Sequence, residues 1–112
     1  MAFKSDVETL VLSALHHGPK HGYLIAKHIK TVSNQVLKIG ESAIYPVLQE
    51  LEKRGSVSSS WEMQDGRPPK KLYQITQAGL KEFETQKSSW EKFSTGINSI
   101  IFAPVQLEGR NA

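Results

Sequence analysis

The sequence predicts a mainly α (α+β) fold, a winged helix-turn-helix with a C-terminal dimerisation helix, because three observations follow one another along the chain. Three short segments carry apolar residues at helical spacing, two β-rich segments then flank a tip of glycine and prolines, and a long final segment keeps an apolar stripe. The 112 residues, 38% hydrophobic and 22% charged, have the length and composition of one globular domain. On this reading residues 1–76 form the winged unit, 77–103 the long helix and 104–112 a tail expected to be disordered.

The first helix is predicted over residues 5–17, SDVETLVLSALHH. Val7, Leu10, Val11, Ala14 and Leu15 fall on one side behind a Ser5 or Asp6 cap, and Gly18-Pro19 ends the pattern. A second helix covers residues 21–32, with Tyr23, Ala26 and Ile29 or Ile25, Ile29 and Val32 as its apolar side and Lys27 and Lys30 directed elsewhere. After Ser33 and Asn34, the segment QVLKIG is expected to be extended. In ESAIYPVLQELEKRG, Ile44, Val47, Leu48 and Leu51 repeat at i, i+3, i+4 and i+7, with Ser42 as cap and Gly55 as stop. Pro46 has to lie in the first turn of this third helix or just after it, because deeper it would remove a hydrogen bond and clash. SVSSSWEM and KLYQIT read as two strands, and Thr76 caps a long helix whose stripe is Leu80, Phe83, Trp90, Phe93, Ile97 and Ile100.

Composition excludes several classes of function. With no cysteine there is neither a disulfide framework nor thiolate chemistry, no apolar run approaches a membrane span, and the first residues lack a signal peptide's apolar stretch. A cytoplasmic protein with no membrane partner and no cofactor is expected. The net charge is only +3, yet residues 20–71 hold nine Lys or Arg against five Asp or Glu, while residues 72–112 hold four against four. The positive excess sits in the middle of the chain, which suits a phosphate backbone as partner.

Three short helices followed by a hairpin is the element order in which the third helix enters the DNA major groove and the wing touches the flanking backbone. Arg67, Lys70 and Lys71 would then neutralise phosphates, with Pro68 and Pro69 stiffening the wing. The third helix offers Ser42, Tyr45 and Gln49 opposite its apolar stripe, with Lys53 further along, and hydroxyls and amides bond to base edges or phosphates. A plain solvated face is the competing account of the same residues. A winged helix used for protein contacts is an alternative that the basic wing argues against. His16, His17, His21 and His28 raise a metal-sensing alternative, but Gly18-Pro19 breaks the helix between them and no cysteine completes a ligand set. No motif activates a serine and no phosphate-cradling loop occurs, so no enzyme is expected.

The blocks LVLSALHHGPKHGYLIAKHI, ESAIYPVLQELEKRGSV and GRPPKKLYQITQAG, from about Leu10 to Gly79, resemble the PadR family of bacterial transcriptional regulators. The short tail resembles the subfamily in which one C-terminal helix serves for dimerisation. The resemblance implies a homodimeric repressor on double-stranded DNA, its operator pseudo-palindromic. By that resemblance Ser42 and Tyr45 match the start of the recognition helix, Lys20, His21 and Tyr23 the start of the second helix, and Arg67 the wing arginine. Where the family often carries Pro-Gly-Thr, this chain has Glu41-Ser42-Ala43, which replaces a threonine hydroxyl only in part and sets a carboxylate near the phosphates.

In the final helix Phe83, Trp90 and Ile97 recur every seven residues, with Phe93 and Ile100 three positions after the last two, a coiled-coil-like seam. Packing of this stripe within the monomer is the alternative. Left exposed, so many large apolar side chains would favour aggregation, which is the argument for a homodimer. Trp90 resembles the tryptophan of multidrug-sensing members of the family, which implies a small planar aromatic effector bound near the two-fold axis.

Overall fold

The structure, a computed structural model, describes residues 4–105, with side chains from Asp6 onward. Helix α1 spans Lys4–His16, strand β1 Lys20–His21, α2 Gly22–Val32, α3 Glu41–Lys53, β2 Val57–Gln64, β3 Arg67–Ile75 and α4 Gln77–Ile101. The winged helix-turn-helix order is therefore present, with one addition: β1 pairs antiparallel with β3, giving a three-stranded sheet in the order β1-β3-β2. Most of the tail expected to be disordered lies outside the described residues.

The apolar stripes read from the sequence meet in one core. Val11, Leu12 and Leu15 of α1, Ile25 of α2, and Ile44, Leu48 and Leu51 of α3 are fully buried, and Val57 and Tyr73 close the layer from the sheet. Each such side chain contributes about 1.5–3 kcal/mol by leaving water. On α2 the side that is buried is the one carrying Ile25 and Ile29, while Val32 stays exposed.

The helix starts depart from expectation. Ser5 and Asp6 lie inside the first turn of α1 rather than before it, and α3 is capped by Gly40 with no side-chain bond, so Ser42 is its second residue. Extended backbone at Gly40 lets its carbonyl accept from Ala43 and Ile44, which turns the chain without a side-chain cap. Pro46 is the sixth residue of α3, and it removes the donor that the Ser42 carbonyl would meet in an unbroken helix. The QVLKIG segment forms no strand. Asn34 and Gln35 take left-handed backbone at φ 54° and 71°, which reverses the chain after α2 and brings Ile39 against the core.

The hairpin turns at Asp65-Gly66, Gly66 having φ 67°, so Arg67, Pro68 and Pro69 belong to β3 rather than to the tip. The prolines are tolerated because an irregularity in the β2–β3 register falls between Glu62 and Gln64, and β1 reaches only Leu72 and Tyr73.

Helix α4 is tied to the core along its first ten residues. Thr76 Oγ1 accepts from the Gly79 amide at 3.1 Å and donates to the Gly55 carbonyl at 2.6 Å. Gly79 packs so closely on the Ser56 carbonyl that a Cβ there would collide with it. Phe83, expected on the dimer seam, is only 7% exposed and lies in the chain's own core with its ring 5.2 Å from that of His16. The correction has a geometric cause: α4 crosses α1 over its second turn before it runs clear of the core. Thr9 Oγ1 donates to Gln86 Oε1 at 2.8 Å, and the helix then projects, stretching the molecule to 71 × 28 × 20 Å.

Candidate nucleic-acid interface

Two arrays of side chains leave the core with opposite character. The first is built from α3, the start of α2 and the wing. Ser42 and Gln49 are exposed along α3, as are Lys53 at its end and Arg67 at the base of the turn. Tyr45 leans from α3 onto the start of α2, where Gly22 leaves room: a Cβ on that residue would lie 2.6 Å from the phenol ring. Burial pushes the Tyr45 pKa up, and the Glu41 carboxylate, through its charge and by accepting the hydroxyl's hydrogen bond, pushes it further. The Tyr45 hydroxyl thus stays a neutral donor.

A stack joins the wing to α2. His21 Nε2 lies 3.0 Å from Glu62 Oε1, the His21 ring is parallel to Tyr23 at 6.0 Å, and Lys70 Nζ sits 4.9 Å from the centre of the Tyr23 ring. Three of the residues singled out in the sequence are thereby brought together. Lys71 points to the other face of the hairpin, 3.7 Å from Glu52 of α3, and its ammonium lies 5.6 Å from the centre of the Trp61 ring. Ser59, on the same face, donates to Glu52 at 2.6 Å. Lys20 takes a different place, since its ammonium donates to the carbonyls of Ala14 and Gly18 and so closes the end of α1.

The second array is on α4. Trp90 and Phe93 are 54% and 58% exposed with ring centres 5.6 Å apart, and Ile97, Ile100, Ile101 and Phe102 continue the exposed apolar face. Beside Trp90 a cleft of about 750 Å³ opens between α1, the α2–α3 connection and α4, its apolar wall made by Leu10, Val36, Leu37, Ile39, Trp90 and Phe93.

The histidines form no such array. The rings of His17 and His28 lie 5.2 Å apart, and burial, then the charges of Lys20 and His17, hold His28 below the usual histidine range. No group of three or more His, Cys, Asp or Glu among the described residues is placed to hold a metal ion.

Sequence reasoning missed the clasp that fixes α3 to α4. Arg54 bonds Glu8 of α1 at 3.1 Å and also pairs with Glu82 of α4, to which Ser56 donates at 2.5 Å and Gln86 at 3.1 Å. Burial opposes the charge on Glu82, but the hydrogen bonds from Arg54 and Ser56 prevail and hold its carboxyl below the ordinary value. No local spacing ties Arg54 to residues 46 positions before it and 28 after it.

The family model described as Transcriptional regulator PadR-like family matches residues 11–85. A transcriptional regulator from Clostridium thermocellum is 30% identical with a TM-score of 0.76, covering 88% of this chain and 90% of that one. PadR of Bacillus subtilis, solved in complex with operator DNA, is 28% identical with a TM-score of 0.64 over 70% of this chain and 44% of that one. A 37.1 kDa transposon protein of Streptomyces fradiae is 33% identical over 90 residues; the match takes in 80% of this chain but only 24% of the larger protein. Among the described residues no helix is long and apolar enough to cross a membrane.

Proposed function

The chain belongs to the PadR-like family of transcriptional regulators, and from that premise we propose that it represses transcription in the cytoplasm as a homodimer on a pseudo-palindromic DNA operator. The single observation that carries this reading is the exposed polar face of α3 beside a wing bearing Arg67, Lys70 and Lys71. In the proposed complex α3 lies in the major groove, where Ser42, Tyr45 and Gln49 reach base edges or phosphates, and the wing cations neutralise the flanking backbone. Tyr23 and His21 act mainly by holding Lys70 in place, and Lys20 by finishing α1 at the entry to β1.

Dimerisation is assigned to α4 from Trp90 outward, where Trp90, Phe93 and Ile97 stay exposed among the described residues. A planar aromatic effector is the ligand that suits Trp90 and the neighbouring cleft. Such an effector regulates only by binding two states of the dimer unequally. A compound that quenches Trp90 fluorescence and leaves DNA affinity unchanged would remove the regulatory part.

Selection of random genomic fragments on the purified protein at two salt concentrations tests the reading. Recovery of an inverted repeat with half-sites about one helical turn apart is the expected result. No retention even at low salt would overturn it. Arg67→Ala should weaken binding to all sequences alike and lower the salt slope by about 1; an unchanged slope would take Arg67 off the phosphates.

A further inference from the structure

Trp61 is the feature of the wing that phosphate contacts leave without a use. It is 65% exposed in the middle of β2, paired across from Lys71, and it stands on the same hairpin face as Ser59, whose hydroxyl bonds Glu52 of α3. The indole therefore projects on the side of the sheet that faces the recognition helix, with the Lys71 ammonium 5.6 Å from its ring centre. Neither the core nor the Tyr23 stack uses it, and a wing that only neutralised phosphates would gain nothing from an exposed indole flanked by cations.

We propose that Trp61 is a specificity-determining wedge, which enters the minor groove flanking each half-site and partly unstacks one base step there. The inference rests on the DNA-binding reading above and goes beyond it, because it assigns sequence preference to the wing. The Lys71 ammonium lies over the face of the ring, and Arg67, exposed at the base of the turn, supplies the charge that brings the phosphate rims close. A flat apolar ring makes no base-specific hydrogen bond, so its selectivity comes from the energy of deforming DNA. Pyrimidine–purine steps such as TpA and CpA unstack most readily, and the flank of each half-site should carry one.

The test runs the fragment selection in parallel with the wild type, Trp61→Ala and Trp61→Phe, then measures affinity and salt slope of all three on the DNA that the wild type retains. Expected are the same half-site from all three proteins, a flanking pyrimidine–purine step that Trp61→Ala no longer enriches, and partial retention of that preference by Trp61→Phe. Affinity of Trp61→Ala should fall roughly tenfold with an unchanged salt slope, since no charge is lost. If the wild type retains DNA without a common sequence, the affinity comparison decides, and equal affinity of Trp61→Ala overturns the wedge. Identical selected sequences and equal affinities overturn it while the DNA-binding reading stands. Failure of the wild type to retain any DNA defeats that reading and the wedge with it. An unchanged melting temperature of Trp61→Ala, expected of so exposed a side chain, keeps misfolding out of the comparison.

Discussion

The hairpin and α4 both grow out of the same core, yet they leave it dressed for different company. The hairpin departs with Arg67, Lys70 and Lys71, each cation near a carboxylate, an aromatic ring or open water. Helix α4 departs with Trp90, Phe93, Ile97 and Ile100 on one side. One extension carries positive charge and the other apolar surface, and the two are rooted in contact with each other, at Ser56 and Gly79. What this teaches is that the roots are packed and the free ends exposed: buried side chains fix where each arm points, and exposed ones set the character of the surface it presents.

The sharpest way to break that division is to attack the shared root. Gly79→Val forces a side chain into the Ser56 carbonyl, and we expect a loss of about 3 kcal/mol in urea unfolding. Arg54→Ala should cost less, about 1–2 kcal/mol, because the guanidinium that joins Glu8 to Glu82 is itself partly in water. The same clasp predicts an acid limb. A carboxyl held below its ordinary value contributes stability that is complete above the usual range near 4.5 and is lost as pH falls through the lower folded value. Glu82→Gln should therefore be less stable than the wild type at neutral pH and should approach it in strong acid; parallel stability curves across that range would remove the clasp's electrostatic role. Smallest in unfolding free energy is Trp90→Ala, expected within about 0.5 kcal/mol for the isolated chain. Its effect should appear instead in sedimentation, as roughly tenfold weaker self-association. A mutant as fully dimeric as the wild type would contradict the assignment of the free end.

These contrasts also explain what could be read from the residues alone. The stripes Val11-Leu15, Ile44-Leu48-Leu51 and the β-rich runs around Gly66 were legible because periodicity records burial, and burial dominates the free energy. Strand β1 was not, since two residues have no period and Lys20 and His21 become a strand only when Tyr73 and Leu72 lie opposite them. The cap of α3 was misread because Ser42 is the better cap by chemistry, while backbone geometry had already placed the turn at Gly40. In the candidate site, the cations of the wing were visible as a cluster, but their division between Tyr23 and the Trp61–Glu52 side was not. Phe83 shows the same limit on α4: a seven-residue recurrence says which residues share a side of a helix, not where along it the core stops.

The clamped start of α4 makes the helix a lever. Its 25 residues, at about 1.5 Å each, make a helix of about 37 Å, of which about 33 Å lies beyond the contact of Gly79 with Ser56 that serves as fulcrum. A tilt of about 5° at that fulcrum carries the far end about 3 Å sideways, while Trp90, halfway out, moves about half as far. Arg54, at the C-cap of α3, grips the arm at Glu82, about one turn beyond that fulcrum. Any tilt at the root is therefore larger at the distal end than where α3 meets the arm.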